Sequence, residues 1–308
     1  MSGQPSSREL YAFNEGKTFV SNIAVRTDGT LLLSTFENGR LYSLDPRADT
    51  PKVELVAEFP GANAISSVVA NSPDTFTVVG GDHRPYRYEL GSMKVWTVFF
   101  PGPGQPAVVK TVAEVPDTEM LNGIDSLPSQ PHVVLGADSV KGRIFRINTI
   151  TGAVDVAFSD PALEQDTAIP IGVNGIRVFG PHLYFANSAK GYFGRVPIGP
   201  DGSKTGDIEI IARSPETVSQ STSYDDFSVA QPAGGNPTAY ITAHTNKVYS
   251  IDLVTGEQKL FFGGGDSTVL KRPTSVAVAN DGKSIFVTTA GFEVMGGPAK
   301  GQVVEIPI

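Results

Sequence analysis

Leu121-Asn122-Gly123-Ile124-Asp125-Ser126 is answered further along the chain by Val173-Asn174-Gly175-Ile176-Arg177-Val178. Each is a small polar residue running into a short apolar strand. The same opening occurs as SNIAV from Ser21, SSVVA from Ser66, DFSVA just after Asp225 and TSVAV from Thr274. The openings are spaced by 45 to 56 residues, the length of one four-stranded propeller blade. Six openings predict an all-β fold, a six-bladed β-propeller.

The strands within each unit agree. Leu31 to Phe36 is an apolar run, and Asp28-Gly29 supplies the turn before it. Asp281-Gly282 repeats that turn ahead of Ser284. Third strands are expected as RLYSLD at Arg40, YRYEL at Tyr86, RIFRIN at Arg143, GRVPI at Gly194, KVYSID at Lys247 and QVVEIPI at Gln302. No segment keeps a 3.6-residue apolar period over three turns, so little or no α-helix is expected. The sixth unit ends at its third strand, with Ile308, while Arg8 to Phe13 precedes the first unit without a partner there. The economical arrangement makes that segment the outer strand of the last blade. It closes the ring, hides an edge, and makes residues 1–308 one domain. Trp96 is expected on an outer strand, packing between blades.

Composition narrows the chemistry. The 308 residues are 40% hydrophobic and 18% charged, as in a water-soluble globular protein. No apolar run of about 18 residues predicts a membrane span, and the polar stretch Met1 to Glu9 has no secretory h-region, so a cytoplasmic protein is expected. The absence of cysteine excludes disulfides, thiolate metal sites and a cysteine nucleophile. A net charge of −8 without a Lys/Arg cluster argues against nucleic acid as a partner. Small molecules are the expected partners. The oligomeric state is not legible.

In a propeller, loops joining strands one to two emerge at one end of the channel. Loops joining strands two to three, and blade to blade, emerge at the other. The first set is turn vocabulary and includes His132 and His182. The second mixes aromatic, titratable and amide groups: Phe36-Glu37-Asn38, Gly81 to Tyr86, Asp138 to Lys141, Asn187 to Lys190, His244-Thr245-Asn246 and Phe292 to Met295. The openings Ser21, Ser66, Asn122, Asn174, Asp225 and Thr274 belong to this end, where a ring of polar groups beneath an aromatic rim makes a small-molecule pocket.

Asp225, His244, Lys190 and His83 are the candidate catalytic residues. Asn122, Asn174, Ser21, Phe36, Tyr86, Lys141, Tyr192, Phe292 and Met295 are the candidate substrate contacts. Each has a structural alternative. The Asn and Asp side chains can bond neighbouring backbone, with Asp226 as the structural member of its pair. Lys141 and Lys190, in matched S-x-K-G loops, can be a solvent-facing repeat. The glycine run at Gly263 reads as a blade-to-blade turn, since no helix-opening pattern follows it.

The stretches at Leu121, Val173 and Tyr224-Asp225-Asp226-Phe227 resemble the inner strands of the regucalcin/gluconolactonase-like family of six-bladed propellers. In its hydrolytic members a divalent cation, often Ca²⁺, is held by a Glu of the first blade, Asn side chains of middle blades and an Asp of the fifth. That resemblance implies Asn122, Asn174 and Asp225 as ligands, but Ser21 stands in the position of the Glu. Losing a carboxylate leaves one formal charge for a divalent ion, so no cofactor is expected.

The phrases ADSVKGRIFRIN, FANSAKGYFGRVPIGPDG and SVAVANDGKSIFVTTAG are similar to a fungal natural-product branch of the family. This resemblance implies an intermolecular hetero-Diels–Alderase that joins a tropolone-derived quinone methide to a sesquiterpene such as humulene. One substrate would then be oxygen-rich and the other apolar. A divalent-metal lactonase and a non-catalytic binding propeller remain the alternatives.

Overall fold

The structure, a computed structural model, describes residues 4–13, 18–36, 39–84, 87–291 and 300–308. It is six four-stranded antiparallel sheets around a central channel, a six-bladed β-propeller. The innermost strands, in blade order, are Phe19–Val25, Ala64–Ser72, Leu121–Leu127, Val173–Phe179, Tyr224–Ala230 and Pro273–Val278. Among the described residues the one helical element is the 3-10 turn Pro161–Leu163. Large apolar side chains fill the spaces between neighbouring sheets. Leu32, Leu41, Phe59, Phe76 and Trp96, for example, form one buried cluster between the first two blades.

One strand assignment needs correction. The third strand of blade two is Lys94–Phe99, not the segment at Tyr86. Trp96 therefore lies on a third strand, with Val108–Glu114 outside it. The earlier segment makes a two-residue ribbon, His83–Arg84 against Arg87–Tyr88, raised at the channel mouth. Asn63 ties it down, accepting from the His83 N–H at 2.6 Å. In blade six, Arg8–Ala12 lies outermost, antiparallel to Gln302–Pro307, with Arg8 paired to Glu305 at 2.8 Å.

Every innermost strand breaks its regular pairing at the same level. The irregularities fall between Val20 and Asn22, Ile65 and Ser67, Leu121 and Ile124, Val173 and Ile176, Tyr224 and Phe227, and Pro273 and Ser275. These bulges contain the six polar openings. A bulge re-aims a side chain and leaves backbone groups without ladder partners.

A ring of hydroxyls answers carbonyls at this level, each blade donating to the next. Ser21 donates to Ser66 O at 2.9 Å, Ser66 to Leu121 O at 2.7 Å and Ser139 to Val173 O at 2.5 Å. Ser188 donates to Tyr224 O at 2.7 Å, and Thr242 shares its hydrogen between Asp226 O at 2.9 Å and Thr274 O at 3.1 Å. Thr274 completes the circle on Val20 O at 2.7 Å.

One residue deeper, Asn22, Ser67, Gly123, Gly175, Asp226 and Ser275 meet around the axis. Asp226 Oδ2 accepts from Asn22 at 2.7 Å, Ser275 at 2.7 Å and Arg177 at 2.8 Å. The glycines of the two NG openings are required by this crowding. A Cβ on Gly175 would stand 2.2 Å from Asp226 Oδ1 and 2.7 Å from its Cα; one on Gly123 would stand 2.4 Å from Asn174 O.

Two stability measurements test this account. Gly175→Ala has no flexible neighbour to displace and should cost about 1–3 kcal/mol in denaturant unfolding, the usual range for overpacking. A wild-type midpoint would contradict the crowding at the axis. Removing residues 1–13 uncovers the Gln302–Pro307 edge, and should lower the melting temperature by several degrees or cause aggregation. An unchanged melting curve would show that the N-terminal strand has no part in holding the last blade.

Candidate functional site

The bulges point the openings into a cavity at one mouth of the channel. Its empty space is about 940 Å³, including the solvent-open entrance. Ser21, Asn122, Asn174 and Asp225 form its floor together with Ser188. Phe36, His83 and His244 reach it from strand-two-to-three connections, and Met120, Ile169–Ile171, Gln220 and Ser223 from blade-to-blade connections.

The cavity has two unlike sides. On blades one and two, Phe19 stacks on Phe36 with ring centroids 4.7 Å apart, and Phe36 meets His83 at 4.8 Å. His83 also packs edge-on against buried Tyr88 at 5.3 Å. Burial pushes the His83 imidazole down to about 4, so at neutral pH it is an uncharged aromatic face. Met120 and Ile169–Ile171 extend this apolar wall.

Polar groups dominate the side formed by blade five. His244 Nε2 lies 2.8 Å from Asp225 Oδ2, while its Nδ1 lies 3.0 Å from Gln220 O and 3.2 Å from Ser223 Oγ. A carbonyl only accepts, so this network assigns a hydrogen to Nδ1. Nε2 then faces a carboxyl oxygen, a geometry satisfied when one proton is held between them. Arg272 also lines the cavity, with φ of 62°. It and Asn246 are the non-glycine residues in the left-handed region among those described.

The two floor asparagines are held differently. Asn174 Nδ2 donates to Ser188 Oγ at 3.0 Å. Asn122 Nδ2 reaches only the thioether of Met120 at 3.9 Å, a weak acceptor that leaves the amide available to a ligand.

Seven residues singled out in the sequence thus come together here: Ser21, Phe36, His83, Asn122, Asn174, Asp225 and His244. Lys141, Lys190 and Tyr192 do not line the cavity. Their polar atoms are bonded to Asp117, Pro161 O and Ala162 O respectively. Tyr86, Phe292 and Met295 lie outside the described residues. Sequence reading missed Phe19, Met120, Ile169–Ile171, Ser188, Gln220, Ser223 and Arg272. The signal was present for most of them, because all blade-to-blade connections emerge at this mouth and their last residues precede an opening.

Among the described residues, no three His, Cys, Asp or Glu side chains gather as a metal site. No helix among them is long and apolar enough to cross a membrane.

The comparisons with known proteins agree with the architecture. A protein of Sarocladium schorii described as a candidate hetero-Diels-Alderase is 28% identical over 278 residues, spanning 82% of this chain and 68% of the relative. One from a Phoma species with the same description is 25% identical over 248 residues, spanning 72% and 68%. The chain resembles proteins named as hetero-Diels-Alderases. No protein-family model matches it. A calcium-binding regucalcin from Agrobacterium tumefaciens superposes with a TM-score of 0.65 at 16% identity, covering 98% of this chain and 95% of that one, a likeness of fold.

The lowered His83 value has a consequence for stability. An unfolded histidine binds its proton near pH 6.5 and His83 in the fold near 4, so between these values the unfolded chain takes up the proton first. The contribution of His83 therefore falls as pH drops from about 6.5 to 4 and is level below. Asp125, pushed up to about 6 by desolvation, slopes the opposite way, so the comparison must be differential. The stability difference between wild type and His83→Phe should vary across that window. A constant difference would mean that the native imidazole is not held neutral.

Proposed function

We propose that this cavity catalyses an intermolecular hetero-Diels–Alder addition between an oxygen-bearing heterodiene and an apolar alkene. The observation that carries this reading is the division of one cavity into an aromatic–aliphatic wall and a polar wall, joined by a floor of amides. The named relatives support the reaction class. A tropolone-derived quinone methide and a sesquiterpene are the substrate pair this reading favours.

The chemistry asks little of titrating groups. A C–C and an O–C bond form together, no atom leaves, and no net proton moves. The protein's work is to hold two reactants face to face, which can remove about 7–11 kcal/mol of barrier in favourable cases. As the addition proceeds, charge builds on the heterodiene oxygen, and a fixed donor there stabilises the transition state more than the ground state. Asn122 Nδ2 is the donor least committed within the fold. Asp225, fixed through Oδ2 by His244, offers Oδ1 to a hydroxyl of the oxygen-rich reactant. Phe19, Phe36 and neutral His83 receive the alkene.

A divalent cation fits these residues poorly. Of Ser21, Asn122, Asn174 and Asp225, only the last is a carboxyl group, and one of its oxygens is bonded to His244. Ser21 spends its hydrogen on Ser66 O. A hard dication needs several oxygen ligands with compensating charge. The reaction proposed here has no step that requires one.

The test is the rate and product stereochemistry of such an addition against the uncatalysed background. Asn122→Ala and His244→Ala should each slow it about ten- to hundredfold while the melting temperature holds, the scale of one lost polar contact. His132→Ala, at the opposite mouth, should be silent. Equal losses from both ends would remove the catalytic role from this cavity. Exhaustive chelation should leave the rate unchanged; loss with EDTA and recovery with Ca²⁺ would favour a metal-dependent hydrolase using Asn122, Asn174 and Asp225.

A further inference from the structure

The matched S-x-K-G loops leave a question, since their lysines turn away from the cavity. Lys141 Nζ donates to Asp117 O at 2.9 Å and Oδ1 at 2.7 Å, joined by Arg143 on the same acidic residue. Asp117 belongs to the connection between blades two and three, which ends in the wall residue Met120. Lys190 Nζ donates to Pro161 O, and Tyr192 Oη to Ala162 O. Asn187 Nδ2 adds bonds to Ala162 O at 3.0 Å and Glu164 O at 3.1 Å. These acceptors are carbonyls of a 3-10 turn and its C-terminal cap, which a longer helix would satisfy internally. They belong to the connection 160–172, which carries Ile169–Ile171. In blade five, Lys247 pairs with Glu216, which also accepts from Thr245 Oγ1 at 3.2 Å. Glu216 lies on the connection 214–223, whose Gln220 carbonyl fixes His244.

The pattern is the same three times. A lysine at the second hairpin of a blade grips the connection arriving from the blade before, and that connection supplies cavity wall. We infer that Lys141, Lys190 and Lys247, with Tyr192, are positioning residues that set the shape and hence the substrate selectivity of the cavity through the three connections. The selectivity rests on the function proposed above; the placement of the connections does not. The bonds of Lys141 and Lys190 are solvent-exposed and contribute little to global stability, so their loss should reshape the wall without unfolding the blades.

The experiment is ¹³C-methyl NMR of the unliganded full chain, followed by steady-state kinetics. Lys190→Met and Tyr192→Phe should each shift or broaden the Ile169 and Ile171 methyl signals and leave Met120 in place. Lys141→Met should do the reverse, and Lys259→Met, on an outer strand, should move neither. In kinetics, Lys190→Met should raise KM for the apolar reactant more than it lowers kcat and shift the stereoisomer ratio toward the uncatalysed one. Unmoved isoleucine signals in both blade-four variants, or an equal movement in Lys259→Met, would overturn the inference. If the signals move as stated but no reactant pair is coupled by the wild type, the positioning role stands and the proposed reaction falls.

Discussion

The hydroxyl-to-carbonyl ring at the bulge level is the interaction on which the rest of the structure depends. A propeller blade is a sheet with two edges, and its inner edge cannot be left to solvent in a channel this narrow. Six bulges free backbone groups at one level, and six hydroxyls, each from the preceding blade around the circle, bond to carbonyls there. Five of the six donors are buried, Ser66, Ser139, Ser188, Thr242 and Thr274. Removing a donor would strand a buried carbonyl, a penalty of about 1–3 kcal/mol rather than the smaller net worth of a bond exchanged with water. The ring also fixes the relative height of the blades, because a slip of one strand would turn every donor away from its acceptor.

That fixed height makes a site out of separate loops. Ser21, Asn122, Asn174 and Asp225 lie in the bulges, so their side chains converge although they are far apart in sequence. Their preorganisation comes from the scaffold. Ser21 and Asn174 cannot relax independently, because Ser21 is also a ring donor and Asn174 is tied to the ring donor Ser188. A cavity floor shared with the structural ring suits catalysis by orientation, where small misplacements are costly.

Much of this was legible in the sequence. The NG openings, the spacing and the third strands RLYSLD, RIFRIN and KVYSID carry the propeller, because an inner strand must be short, apolar and headed by a small polar residue. YRYEL misled, since its alternation satisfies a period-two reading while Arg87–Tyr88 pairs only with His83–Arg84, a ribbon tethered by Asn63. The mouth of the channel was assignable from loop order, so the floor residues and His83 and His244 could be found. What sequence could not supply was direction. Lys141 and Lys190 stand in loops at the correct mouth, yet their long side chains reach sideways to carbonyl or carboxylate acceptors that are distant in sequence. Asp225 and Asp226 are adjacent and chemically identical, and only the bulge decides that one faces the cavity and the other the axis.

The axis closes the channel beneath the cavity. Asp226 is buried, takes three hydrogen bonds on Oδ2, and shares Arg177 with half-buried Asp125, whose carboxyl accepts from Val178 N at 2.7 Å. Desolvation pushes the Asp125 carboxyl up to about 6 against the opposing pull of the Arg177 charge. Such a network is weak evidence for stability as such, since an apolar plug could fill the same volume. Its consequence is geometric. Asn22, Arg177, Asp226 and Ser275 bind four inner strands to one oxygen, and the glycines beside them let the strands approach closely enough to do so. The cavity above therefore has a polar, closed floor of amides and a carboxyl group, with its apolar wall to one side.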